Sequence, residues 1–162
     1  MSRRDKINYY LDIAQSVATR STCIRRKFGA IIVKNDEIIS TGYVGAPRGR
    51  KNCCDLGFCL REKLTVPSGE RYELCRSVHA EQNAIISADR QSMLGATMYL
   101  VGIENDGSFT RNATSCSLCK RMIINAGIKT VVVRDDKDNY RAIDVQSEWI
   151  DYDESLTDHH GY

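Results

Sequence analysis

The chain has 162 residues, 42% of them hydrophobic and 27% charged, with a formal net charge of +2. Those values fit one globular domain spanning residues 1–162, and so small a net charge predicts neither a nucleic-acid nor a membrane-surface partner. Apolar runs such as Ile31–Val33 fall far short of the roughly 20 residues of a membrane span. The opening MSRRDKINYY has no apolar stretch of a secretion signal behind it, so the expected location is cytoplasmic.

In chain order, Ile7, Tyr10, Leu11, Ala14, Val17 and Ala18 recur at helical spacing and predict an amphipathic helix within residues 3–20. FGAIIVKNDEIISTGY predicts two short strands turning at Asn35-Asp36. Residues 44–76 gather turn formers and four cysteines and read as a long irregular excursion; a loop of that length usually has a function or a staple. Ser77 is the predicted cap of a helix running to about Arg90, with Ala84, Ile85 and Ala88 facing inward. ATMYLVGI predicts a strand, and residues 103–113 a polar loop. Ser115 is the predicted cap of a second helix, Cys116 to Ala126, which Gly127 terminates. IKTVVVR predicts a buried strand, and Gln146 to Tyr162 a short helix with a frayed tail. This order predicts an α/β layer fold, a mixed sheet with helices on both faces.

Seven cysteines, an odd number without a secretion signal, argue for metal or catalytic chemistry over a disulfide framework. His79 and Glu81 form an HxE at one predicted helix start, and Cys116 and Cys119 a CxxC at the other. Each alone is weak: the first is commonly helix surface, the second commonly a structural zinc or redox pair. Together they supply a histidine and two thiolates, a donor set suited to zinc, and helix N-termini favour thiolate. Three donors leave the fourth tetrahedral position to water, the mark of a catalytic zinc. Glu81 is then the candidate to move that water's proton.

These motifs, with STCIRRKFGAIIVKND, STGYVGAPRG, HAEQNAI and CSLCKRMIINAGIKTVVV around them, resemble the zinc-dependent cytidine deaminase superfamily, and within it the deoxycytidylate (dCMP) deaminase branch, over nearly the whole chain. The resemblance implies a three-layer α/β/α fold on a five-stranded sheet and hydrolysis at C4 of cytosine, releasing ammonia and leaving the uracil nucleotide. It implies a zinc held by His79, Cys116 and Cys119, Glu81 as proton shuttle, the Ala80 N–H against the pyrimidine, and a homo-oligomer. Two positions depart from the family. Ser115 replaces a proline whose carbonyl receives the substrate amine, and serine keeps that carbonyl. Val44 replaces an asparagine that contacts the sugar, and valine cannot make that hydrogen bond, which bears on which substrate is taken.

A second, closed zinc site is the preferred reading of the remaining thiols. By the resemblance its ligands include Cys23 and Cys53, with Cys59 and Cys75 completing four; Cys54 is an alternative to Cys53. Incidental buried thiols are the plain alternative. Among the arginines near the motifs, Arg26 and Arg76 are the candidates for a substrate phosphate. Gly42, Tyr43 and Gly45 lie in a glycine-rich turn that, by the resemblance, takes a regulatory nucleoside triphosphate with Mg2+. The rival readings are a deaminase of a nucleoside, free base or tRNA or single-stranded DNA base, and a non-catalytic zinc-stabilised nucleotide-binding module.

Overall fold

A computed structural model describes residues 1–157. Helix α1 (Lys6–Ala18) is capped by Asp5, whose carboxylate accepts from the Asn8 N–H. Strands β1 (Arg26–Lys34) and β2 (Glu37–Tyr43) then form an antiparallel hairpin. Asn35 and Asp36, at φ 52° and 61°, make the two-residue turn whose twist matches the strands, as expected from sequence. The excursion that follows holds two single-turn helices, α2 (Cys53–Leu56) and α3 (Leu60–Lys63). Then come α4 (Ala80–Ile86), α5 (Arg90–Met93) and β3 (Thr97–Glu104), followed by α6 (Ser117–Ala126), β4 (Thr130–Arg134) and β5 (Tyr140–Asp144).

The sheet has five strands in the order β2-β1-β3-β4-β5. Only β3 and β4 pair in parallel, joined by the crossover through α6; the other neighbours are antiparallel. Alternation along β1 explains the layering. Ala30 and Ile32 join one buried cluster with Ala80, Ala84, Met98, Leu100 and Ile123, under α4 and α6. Ile31 and Val33 join the other with Tyr10, Leu11, Ala14 and Tyr99, under α1. A strand covered on both faces needs apolar residues at successive positions, and AIIV supplies them.

Several boundaries differ from the sequence reading. The cap position of α4 is His79, not Ser77, and α4 stops at Ile86 instead of reaching Arg90. Asp89 restarts the chain as α5, its carboxylate accepting from the Ser92 N–H at 2.9 Å. Likewise Cys116, not Ser115, caps α6, because the Ser115 hydroxyl is turned inward. Gly127 does end α6, at φ 80°, a conformation that suits glycine. Strand β5 went unread; only its Ile143 is buried, so its alternation is faint. The clue was the Asp/Asn-rich turn before it, where the Asp136 carboxylate accepts from the Asp138 and Asn139 N–H groups. A π-helical turn, Gln146–Ile150, packs Trp149 into the core. The frayed tail expected beyond it falls partly on residues 158–162, outside those described. Among the described residues no helix is long and apolar enough to cross a membrane.

Gly42 and Tyr43 close β2, as the strand reading of that stretch expected, so the glycine-rich turn begins only after them. A Cβ at Gly42 would lie under 3.0 Å from backbone atoms of Ala80, Asn83 and Ala84. The helix therefore sits against the strand with no side chain between them. Gly45 pairs with Val78 in an isolated bridge, its N–H and C=O both bonded to Val78.

Candidate metal centre and substrate cavity

Tight packing brings two helix starts to one end of the sheet. Asn83 donates from its amide to the Tyr43 carbonyl at 2.8 Å, and the Ser40 hydroxyl donates to the Ala84 carbonyl at 2.7 Å, strapping α4 to β2. The His79 N–H donates to the Gln82 side chain, fixing the turn at which the imidazole leaves the chain. From the neighbouring α6, Cys116 and Cys119 reach the same point. His79 Nδ1 lies 3.5 Å from Cys116 Sγ and 3.3 Å from Cys119 Sγ.

These distances can be tested against zinc. Tetrahedral bonds of about 2.3 Å to sulfur and 2.0 Å to nitrogen require an N···S separation of about 3.5 Å. The cluster therefore already has nearly the size of a zinc shell, and its three donor atoms lie within 4.8 Å of one another. One histidine and two cysteines suit zinc better than a hard cation. Among the described residues no fourth His, Cys, Asp or Glu joins the set. His79 is held by its surroundings: the Tyr72 ring meets it edge-on at 5.4 Å and 87°, and the Arg61 guanidinium lies 4.6 Å over Tyr72.

Without metal the cluster keeps protons. Burial disfavours the charged form of His79, but hydrogen bonds to the Cys116 and Cys75 sulfurs and the charge of Glu81 outweigh it, raising its pKa to about 10. The hydrogen bond from Cys119, and His79 beyond it, lower the Cys116 thiol to about 4. That same bond, together with burial and the nearby Glu81 charge, raises Cys119. These shifts favour the protonated forms of His79 and Cys119 and the thiolate of Cys116. Zinc must displace about two protons, one from His79 and one from Cys119. Its affinity is expected to rise about 100-fold per pH unit between about pH 5 and 8. A competition titration at several pH values reads the slope, and a flat profile would refute the protonation scheme.

Glu81 is 5% exposed and lies beside the set without belonging to it. Burial raises its carboxyl above the usual range, against the opposing pull of the His79 charge. Its Oε2 is 3.7 Å from Cys119 Sγ, and its Oε1 accepts from the Ser115 hydroxyl at 3.0 Å.

These groups open onto a cavity of about 250 Å³. His79, Ala80, Glu81 and Cys116 line its floor, and Phe28, Val44 and Tyr72 give it apolar walls. Arg25, Arg26, Arg61 and Arg111 also line it. Of the two arginines singled out from sequence, Arg26 lines the cavity; Arg76 does not, and donates instead to the Lys51 carbonyl at 3.1 Å. Arg61 and Arg111 were missed. Arg61 stands in LREK, which reads as helix surface, yet it is 5% exposed and bonds the Pro67 and Glu70 carbonyls.

The other thiols are free. Cys53 is buried and close enough to Cys23, Cys59 and Cys75 for their charges to act on it, whereas Cys54 is exposed. The Cys23 sulfur accepts from the Arg25 N–H and the Cys75 sulfur from the Ser77 N–H, each at 3.4 Å. Among the described residues the four sulfurs do not meet as tightly as the His79 set.

A half-buried histidine and two cysteines, with a buried carboxylate turned toward them at the floor of a cavity, define a zinc site of the deaminase type, and the comparison with known proteins agrees. Residues 4–135 match the family model described as "Cytidine and deoxycytidylate deaminase zinc-binding region", and the chain belongs to that family. The deoxycytidylate deaminase of Mycobacterium phage D29 is 39% identical over 137 residues, covering 82% of this chain and 96% of the relative. That of Schizosaccharomyces pombe is 32% identical over 125 residues, covering 77% of this chain but only 35% of the longer yeast protein. The crystal structure of dCMP deaminase from cyanophage S-TIM5, in apo form, superposes with a TM-score of 0.57 at 28% identity, covering 85% of this chain and 88% of that one. The same phage enzyme is known in complex with dCMP and dUMP, with a TM-score of 0.56, 28% identity, and coverage of 83% of this chain and 85% of that one.

Proposed function

We propose that this chain, as a single domain, hydrolyses dCMP to dUMP and ammonia, feeding thymidylate synthesis. The carrying observation is the buried Glu81 carboxylate, set beside three donors of zinc-binding type on the floor of a cavity of about 250 Å³. Zinc bound there supplies Lewis acidity, bringing the proton loss of water down to about pH 7. Glu81 would take that proton and give it to N3 of the ring as the oxygen adds at C4, then carry the remaining hydroxyl proton to the amine, which leaves as ammonia while the C4 carbonyl forms. The Ala80 N–H at the start of α4 and the Ser115 carbonyl are the proposed partners of the base and of the departing amine. Val44, buried in the cavity wall, gives the sugar an apolar neighbour.

For the phosphate, Arg26 and Arg111 are favoured. Among the described residues Arg26 pairs with Glu104 alone, through a half-exposed pair that is easily exchanged for phosphate, and exposed Arg111 has no ion pair. Arg76 has no such support. A second zinc on Cys23, Cys53, Cys59 and Cys75 is supported by the influence of the other three on Cys53 and by N–H groups already aimed at two of the sulfurs; the burial of Cys53 favours it over Cys54. Free thiols around metal chemistry favour a reducing, cytoplasmic setting. Exposed Ile86, near a groove lined by Ile85, Met93 and Met122, supports self-association. A regulatory triphosphate with Mg2+ at Gly42, Tyr43 and Gly45 is the weakest extension, since strand and bridge pairing already account for these residues.

One experiment tests the reading. dCMP, CMP, deoxycytidine and cytosine are offered side by side to the intact chain and to Arg26→Ala, with loss of cytosine absorbance followed and zinc counted. dCMP is expected to be the best substrate, with about two zinc ions per chain. Arg26→Ala is expected to raise the KM for dCMP about 10-fold and to leave deoxycytidine unaffected. No ammonia from any of the four would favour a non-catalytic binding module.

A further inference from the structure

Glu81 has two carboxylate oxygens and only one can face the metal donors at a time. Rotation about the last bond of a glutamate side chain is soft, and although a half-turn only exchanges two equivalent oxygens, any smaller turn takes the carboxylate out of line, so a buried carboxylate that must carry a proton along one direction needs something to fix its plane. Oε1 accepts from the Ser115 hydroxyl at 3.0 Å, between two side chains that are 1% and 5% exposed. Oε2 is left on the side of the donor set, 3.7 Å from Cys119 Sγ. Ser115 immediately precedes Cys116, so one backbone segment sets both a metal donor and the anchor of the carboxylate. A residue without a side-chain donor, proline included, could supply the same carbonyl but not this bond.

We propose that Ser115 is a positioning residue for Glu81: its hydroxyl holds one carboxylate oxygen and so fixes the plane of the group, with the other oxygen kept on the side of the donor set, where it carries the proton. This rests on the deaminase reading and assigns to the side chain at 115 a role separate from that of its carbonyl. The hydroxyl is buried and Ser115 does not line the cavity. Loss of the hydroxyl leaves ground-state binding intact and lets the carboxylate plane turn out of line, so the effect falls on kcat and not on KM.

The test uses the zinc-loaded chain and its Ser115→Ala, Ser115→Thr, Glu81→Ala and Ser115→Ala/Glu81→Ala variants. Ser115→Ala is expected to lower kcat for dCMP about 10-fold, the scale of one lost hydrogen bond to a charged group, with KM and zinc content unchanged. Ser115→Thr, which keeps the hydroxyl, is expected to restore most of the rate. Independently of turnover, the melting temperatures of the two alanine variants and their double variant are expected to be non-additive, as for groups in direct contact. Full kcat in Ser115→Ala, or additive melting shifts, would overturn the proposal. If the unmodified chain fails to turn over dCMP, the deaminase reading falls, and the melting cycle still decides whether Ser115 holds the carboxylate.

Discussion

Glu81→Gln is expected to lower kcat for dCMP by about 10²–10⁴-fold while zinc still binds stoichiometrically. Gln keeps the shape of the side chain and an oxygen able to accept from Ser115, so the fold and the donor set have no reason to change. What it loses is the capacity to take up and return a proton. The carboxylate is costly where it stands: it is 5% exposed, and burial raises its pKa. Removing that charge is therefore expected to leave stability equal or higher, the signature of a group kept for chemistry. Turnover, zinc content and thermal unfolding on one preparation separate the cases. A Gln variant with more than about a tenth of the normal kcat would mean that some other group moves the proton.

Gly42→Ala is expected to cost about 3 kcal/mol or more of stability and to weaken zinc binding in the molecules that remain folded. The added Cβ would meet only backbone atoms, those of Ala80, Asn83 and Ala84, so no side chain can swing away to make room. Helix α4 would have to lift off β2, breaking the Asn83–Tyr43 and Ser40–Ala84 bonds and carrying His79 and Glu81 with it. Gly29 is the matched control. Its Cβ would strike backbone of Ala14 and Ala18 in α1, on the opposite face of the sheet. Gly29→Ala is expected to destabilise comparably and yet leave the zinc affinity of the folded fraction near normal. Chemical denaturation with a zinc competition titration compares the two; equal zinc loss in both would show that α4 is not what sets the donors.

The chain alone determined the α/β class, the Asn35-Asp36 hairpin, the helix starts near residues 79 and 116, and the residues His79, Glu81, Cys116 and Cys119. These were legible because they depend on local spacing and on ligand chemistry: periodicity marks an element over a few turns, and zinc accepts few residue types. Tertiary structure decided the rest. It put Arg61 and Arg111 on the cavity and Arg76 outside it, buried Cys53 and exposed Cys54, and gave Gly42 to helix packing. It also turned the Ser115 hydroxyl away from a helix cap and onto a carboxylate 34 residues earlier in the chain. An arginine on a surface and an arginine on a cavity wall have the same neighbours in sequence; only the packing of one helix against a distant strand separates them, and local pattern carries no record of that contact.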